Sequence, residues 1–486
     1  MSEPELLRRT ADLAADHLDR LAGGPVARQV DLDALRAALG GPMPDRGEDP
    51  MAIIEGLARG SEPGLVGTAG PRYFGFVIGG SLPAALAADW LTSAWDQNAG
   101  LYVISPAAAV AEEVAAGWLI DLFGLPEGTS VGFTTGATMA TFTALAAART
   151  AVLRDAGWDV GEDGLIGAPP IDVIVGVEAH ITIFAGLSML GLGRGPRRVV
   201  RVPADGQGRL IAAGLREALA RANGPTIVCA QAGNVNTGAF DPLPEIVDAV
   251  HEHGGWLHVD GAFGLWAAAA PGLGHLAAGV AGADSWTTDA HKWLNVPYDS
   301  GLVFVRDAAA HHSAMTFGAA YYVETAGAER DPYNWVPESS RRARGFAVLA
   351  ALRSLGRQGL AGLIERCCAN ARLMADRLGA APGVEILNDV VLNQVLVRFV
   401  PEGEGAGPGA AADELTRDVI ARVQADGTCW LGGTTWHDLA AMRVSVSSWS
   451  TTAEDIEVSA EAILRCYAEA LAARSAAPEA REPAIR

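Results

Sequence analysis

Cysteine is scarce in this chain of 486 residues, with five at 229, 367, 368, 429 and 466. The number is odd and no CxxC occurs, so neither a disulfide framework nor a structural zinc site follows. The thiols read as buried bystanders in a reducing compartment. Positive charge is also short: 36 Lys and Arg face 57 Asp and Glu, for a net charge of −21. No basic run of any length occurs, which argues against nucleic acid and anionic membrane as partners. The acidity itself reads as a solvated surface. No apolar stretch reaches membrane-spanning length. The N-terminus, MSEPELLRRT, carries no apolar h-region, so a cytoplasmic protein is expected. Aromatics make up 6% of the chain.

Hydrophobic residues make up half of the sequence, with Ala and Gly abundant. That is enough for a large core and more than one domain, and it suits helices packed on a parallel sheet. Residues 4–22, 32–39 and 50–59 carry helical periodicity, and a Gly/Pro-rich break follows at 62–71. From about residue 84 the pattern alternates. Helical runs at 84–95, 106–122, 138–153, 211–222 and 243–253 are interleaved with β-rich runs at 172–177, 198–202, 226–230, 256–259 and 301–305. Strand–helix alternation predicts an α/β fold around a mostly parallel sheet, with ligands gathering at the strands' carboxyl ends. After a helical run at 341–379, strands at 390–400 and 442–447 and helices at 411–426 and 453–473 suggest a smaller α+β domain. The expected division is an N-terminal helical segment over 1–83 that packs on a partner subunit, a large domain over 84–345, a small one over 346–474 and a disordered tail over 475–486. Residues 402–410 read as a Gly-rich loop.

Four segments carry chemistry. The first is Asp-Ser-Trp-Thr-Thr-Asp-Ala-His291-Lys292-Trp, a polar run ending in a His-Lys pair. A lone lysine is usually a solvated surface charge. The second, Trp-Leu-His-Val-Asp260-Gly-Ala262, ends an apolar strand with a carboxylate, which could pair with a protonated pyridine nitrogen and keep the ring an electron sink. The plain alternative for Asp260 is a helix N-cap. The third, Gly132-Phe-Thr-Thr-Gly136-Ala137-Thr138-Met139, opens a helix and offers free N–H groups to a phosphate. It is neither GxGxxG nor a Walker A loop, so nucleotides are not favoured. An ordinary capped helix would look the same. The fourth, Val177-Glu-Ala-His180, places an imidazole at another strand end, where it could stack on a flat ring; a structural histidine is the plain alternative.

In order and spacing, Gly136-Ala-Thr-Met-Ala, His180, His-Val-Asp260-Gly-Ala262 and Asp-Ala-His291-Lys292-Trp resemble the group II pyridoxal-phosphate (PLP) decarboxylases. That family includes the aromatic-amino-acid, histidine and glutamate decarboxylases. Arg72-Tyr-Phe-Gly-Phe76, Ser105-Pro106 with Glu112 and Glu113, Phe240-Asp241, Ser340-Arg341-Arg342 and Met442-Arg443-Val444 extend the likeness over about 70–450.

The resemblance implies the PLP-dependent transferase fold of type I and a homodimer with active sites at the subunit interface. It implies decarboxylation of an L-amino acid through a Schiff base on Lys292. It makes Asp260 the partner of the ring nitrogen, with His180 and Ala262 on the two ring faces. Gly136, Ala137, Thr138 and His291 fall to the phosphate, and Asn234 to a place near the cofactor where relatives often carry Thr. Arg443, Phe76 and Tyr102 fall to the substrate, and Tyr322 is the match for the tyrosine that returns a proton to Cα, with Tyr321 and Tyr333 as rivals. No metal is implied. Two departures stand out: Met139 replaces a Glu, and Asp289 replaces an Asn, which puts a carboxylate near the phosphate and would repel it unless paired or turned away. Other PLP reactions on the same scaffold stay open at this level: carbon–carbon lysis, decarboxylating aldehyde synthesis and transamination. So does a non-catalytic PLP-binding protein.

Overall fold

The computed structural model describes residues 2–317, 329–401 and 409–476. Tyr321 and Tyr322, most of the 402–410 loop and almost all of the expected tail lie outside them. The chain forms two compact units: Gly79–Ala369 with Asn388–Gln394, and Met1–Ile78 with Asn370–Leu387 and Val395–Arg486. Residues 346–369, expected in the small domain, therefore group with the larger unit.

The larger unit is built on seven strands: β1 (Ser130–Thr134), β2 (Asp172–Gly176), β3 (Val199–Val202), β4 (Thr226–Gln231), β5 (Trp256–Asp260), β6 (Ser285–Asp289) and β7 (Gly301–Val305). Their order is β1-β7-β6-β5-β4-β2-β3. Only β7 runs against the rest; it pairs antiparallel with both β1 and β6. Strands β1, β4, β5, β6 and β7 are buried along their whole length. Both faces must therefore be covered by helices, as βαβ crossovers provide. The helix Ala137–Asp155 is Ala-rich and buries twelve residues. Small side chains let it lie close to the sheet.

Strand β1 has no counterpart among the β-rich runs read from the sequence, and neither does β6, whose Ser285–Asp289 read as a polar run. In β6, Ser285 Oγ accepts from Trp256 Nε1 at 2.9 Å and meets His258 Nδ1 at 3.0 Å, and Thr288 Oγ1 donates to Ala262 O at 3.3 Å, while Thr287 Oγ1 is buried with no partner among the described residues. Hydrogen-bonded hydroxyls make burial of such a strand affordable. The run at 341–379 becomes helical only from Gly345.

The smaller unit carries a four-stranded sheet, order β10-β11-β9-β8, from β8 (Val384–Ile386), β9 (Gln394–Phe399), β10 (Gly432–Trp436) and β11 (Leu439–Ser445), in which β10 pairs antiparallel with β11 and β8 with β9. His437 and Asp438 turn the β10–β11 hairpin with φ of 46° and 65°, as a two-residue hairpin turn with both φ positive requires. Its N-terminal helices Glu3–Leu21, Leu32–Leu39 and Pro50–Ser61 bury no residue.

Candidate active site

Strands β1, β2, β4, β5 and β6 run parallel, so their exits share one edge of the sheet. The sequence-identified residues of the larger unit stand there: Gly136 after β1, His180 after β2, Asn234 after β4, Asp260 at the end of β5, and Asp289, His291 and Lys292 at the end of β6. The exits of β5 and β6 are stitched together. Gly261 N donates to Thr287 O at 3.0 Å and Asp289 N to Ala262 O at 2.9 Å.

Lys292 Nζ lies 3.1 Å from Asp289 Oδ2, with the lysine side chain 18% exposed and the carboxylate 3%. The other oxygen, Oδ1, accepts from Ala137 N at 2.6 Å, the first N–H of the helix Ala137–Asp155. The carboxylate that the sequence suggested would repel an anion is thus paired on both oxygens. His291 Nδ1 accepts from Ser300 N at 3.1 Å, which leaves the proton on Nε2, 3.5 Å from Asp289 Oδ1. Burial holds the His291 pKa below its ordinary value, against the pull of Asp289 and with the push of Lys292. Its ring stacks on Tyr298 with centroids 4.2 Å apart.

Asp260 Oδ1 accepts from Ala262 N at 3.1 Å. His180 and Asp260 line one small hollow with Gly176, Ala179 and Gln231. His180 also caps the helix Ile181–Met189, its Nδ1 2.8 Å from Thr182 Oγ1. Burial and Asp260 push the Cys229 thiol pKa up, so it stays protonated and inert. Asn234 is 1% exposed. Its Oδ1 accepts from Asn236 N and Thr237 N, while Nδ2 is buried with no partner among the described residues. A donor left unsatisfied at that depth is unfavourable by about 1–3 kcal/mol. The edge therefore offers one amine, one strand-end carboxylate, one spare amide donor and one glycine-led helix start. This donor set fits a flat, phosphorylated pyridine aldehyde.

Tyr102 begins a short turn, its N donating to Asp331 Oδ1 at 2.8 Å. Tyr333 is 1% exposed and its N donates to Gly100 O at 2.9 Å. Phe76 and Arg443 belong to the smaller unit. Phe76 takes φ 54° and stacks on Trp430 at 5.5 Å. Arg443 lies on β11 opposite Gly432, and burial lowers its pKa.

Other motif residues hold the frame. Arg341 grips Glu112 with two bonds of 2.7 Å. Asp241 accepts from Leu210 N and Gln231 N at 2.7 and 2.8 Å. Three features escaped the sequence reading. A Cβ on Gly79 would lie 1.8 Å from Lys292 O. Asn295 Oδ1 accepts from Gly80 N at 2.6 Å while its Nδ2 reaches Lys292 O and Trp293 O. These two needed the fold. The third was a matter of counting: Lys292 is the only lysine in the chain, and every other Lys or Arg is arginine.

The family model for the pyridoxal-dependent decarboxylase conserved domain matches residues 33–400. The chain belongs to this family. It is a carboxy-lyase that decarboxylates an amino acid with pyridoxal phosphate as cofactor. The aromatic-L-amino-acid decarboxylase of Bacillus atrophaeus is 26% identical over 458 residues, covering 93% of this chain and 92% of the relative. The acidic amino acid decarboxylase GADL1 of Homo sapiens is 28% identical over 367 residues, covering 74% and 69%. The crystal structure of Oryza sativa TDC with PLP and tryptamine matches in fold with a TM-score of 0.89, at 24% identity over 96% of this chain and 98% of that one.

Proposed function

We propose that Lys292 is the residue that carries the cofactor and that the substrate is an aromatic L-amino acid. The observation that carries the reading is the convergence of the chain's only lysine with the strand-end carboxylate Asp260 at one sheet edge. When bound, the cofactor supplies an electron sink for the pair released as carbon dioxide leaves. Asp260 holds a proton on the ring nitrogen, because a buried carboxylate favours the protonated pyridine beside it. His180 and Ala262 bracket the ring. Asn234 donates its spare Nδ2 hydrogen. Gly136, Ala137, Thr138 and His291 hold the phosphate. Lys292 would hold the cofactor through its Nζ.

Arg443, Tyr102 and Phe76 are the proposed substrate contacts. A half-buried guanidinium suits a carboxylate, and Phe76 with Tyr73 and Trp430 forms an aromatic stack suited to a ring. Tyr322, outside the described residues, is the proposed donor of the proton that Cα needs. A homodimer is supported by the unburied apolar residues Leu7, Leu18, Ile53 and Leu57 on the N-terminal helices and Trp90, Trp95 and Trp118 in the larger unit. Five free, buried cysteines support a cytoplasmic setting.

The test is an amino-acid panel with mass analysis of the products. Amine and carbon dioxide from aromatic substrates are expected; preference for acidic substrates would overturn the substrate class. Tyr322→Phe should lose amine formation, with aldehyde appearing, and unchanged activity would remove that residue from the mechanism.

A further inference from the structure

We propose that Asp289 is a proton-linked latch on cofactor loading: its carboxylate occupies both the helix start and the lysine that the cofactor needs, and the phosphate is accepted together with one proton shared between it and Asp289. The inference rests on the Lys292 reading above. It begins from a conflict of charge. The cofactor's phosphate needs N–H donors at the start of the helix Ala137–Asp155. The first of them already points at Asp289 Oδ1 from 2.6 Å. The same carboxylate holds the Lys292 ammonium at 3.1 Å, and an ammonium is no nucleophile until it loses its proton.

Asp289 cannot swing into solvent from its place at the end of β6. It is 2% exposed, its N donates to Ala262 O and its O accepts from Trp266 Nε1 at 3.1 Å. The groups around it supply little spare positive charge. Lys292 and His291 face it from its own strand's exit, and Asp299 acts on that histidine. The helix Ala137–Asp155 brings backbone N–H and no acidic or basic side chain in its first turn. The exit of β5 brings Ala262, and β7 begins with Gly301. His291 keeps its proton on Nε2 and stays neutral, and Lys292 gives up its charge on reacting. A carboxylate and a phosphate within hydrogen-bond reach then cannot both remain fully ionised, and one proton stays between them. The proton that stays is the one Lys292 gives up on reacting, so loading draws no net proton from solvent, and the hydrogen bond closes the pair.

The sign follows from linkage. A phosphate monoester loses its second proton near pH 6, at about that value in water. Above it, the proton that Lys292 gives up stays on the Asp289–phosphate pair, so wild-type affinity should change little with pH. Where Asp289 is neutralised that proton goes to solvent, and affinity should rise with pH by up to about tenfold per unit. Asp289→Asn still offers Oδ1 to Ala137 N–H and gives an amide hydrogen to the phosphate, with no proton required.

The test uses the full chain freed of cofactor. Pyridoxal phosphate and pyridoxal are titrated into wild type and Asp289→Asn from pH 6 to 9, followed by visible absorbance. Proton exchange by wild type with each ligand is measured by calorimetry in two buffers of different ionisation enthalpy. We expect Asp289→Asn to bind pyridoxal phosphate at least tenfold more tightly at pH 8, at about the size set by one like-charge contact. The ratio to wild type should widen with pH and stay small for pyridoxal, which lacks the phosphate. Wild type should exchange close to no proton on taking pyridoxal phosphate and release close to one on taking pyridoxal. A flat ratio, with wild type releasing a proton on taking pyridoxal phosphate, overturns the latch while the Lys292 reading stands. Unchanged cofactor uptake by Lys292→Ala would instead overturn that reading. The calorimetric arm needs no variant, so a poorly folded Asp289→Asn does not rescue the proposal.

Discussion

Glu112→Gln is expected to destabilise the larger unit severely and to disturb the site at a distance. Both side chains of the Glu112–Arg341 pair are buried, at 3% and 1% exposure. Both bonds are 2.7 Å and run in parallel from the two terminal nitrogens. Arg330 is buried nearby, where burial lowers its pKa to about 10 and Glu112 opposes that shift. Neutralising Glu112 therefore leaves two buried guanidiniums facing an amide. Removing one partner of a buried pair costs about 3–5 kcal/mol. A unit of roughly 300 residues unfolds with an entropy near 0.6 kcal/mol/K, from about 2.1 cal/mol/K per residue. The expected fall in Tm is about 5–8 °C, measured calorimetrically at fixed scan rate with saturating cofactor. A fall under about 2 °C would refute the reasoning, because it would put the pair in the range of surface ion pairs. The double variant Glu112→Leu, Arg341→Met should recover much of the loss, since an apolar pair removes the desolvation problem.

The functional consequence runs through the backbone of Arg341. Its N donates to Asn98 Oδ1 at 3.2 Å and its O accepts from Ala99 N at 3.0 Å. Releasing it frees the segment that carries Tyr102, so KM for the amino acid should rise more than kcat falls in Glu112→Gln.

Gly79→Ala should impair cofactor retention, because its Cβ would lie 1.8 Å from Lys292 O, a backbone atom fixed by Asn295; retention equal to wild type after dialysis would argue against that close approach. Stability should fall as pH drops from 6.5 to about 4. Burial lowers the His258 pKa to about 4, so the folded state refuses a proton that the unfolded chain accepts below about 6.5, a loss on the order of 3 kcal/mol. Urea midpoints of His258→Asn should show a shallower acid slope than wild type, and an equal slope would sink the assignment.

What the sequence made legible is what local chemistry encodes. Asp260 closing an apolar strand and His180 following the run at 172–177 could each be placed at a strand exit from alternation alone. Strand β6 could not, because its Ser and Thr look polar until their partners on β5 are known. The roles of Asn295 and Gly79 depend on contacts across more than two hundred residues of chain. Glu112 and Arg341 were visible as motif residues, but their pairing spans 229 positions and needed the fold. Asp289 was noticed as an oddity, and only geometry turned it into a charge that holds two of the groups a phosphorylated aldehyde would need.

The lysine count reaches beyond the site. The chain carries 36 basic residues, and all but Lys292 are arginines. A guanidinium stays protonated at any working pH, with a pKa above about 12, and does not attack carbonyls. An aldehyde cofactor therefore meets one side-chain amine in the whole chain, and the only other primary amine is at the N-terminus. Incubation with excess pyridoxal phosphate, borohydride reduction and intact-mass measurement should give one side-chain adduct per chain, mapped to Lys292. Lys292→Arg should carry none. This outcome does not depend on which residues line the pocket. It separates attachment from binding: a Lys292→Arg protein that still holds the cofactor through Asp260 and the helix start would show it as a reversible, unreduced occupant. Adducts on any other side chain would refute the argument, since no second lysine exists to bear them.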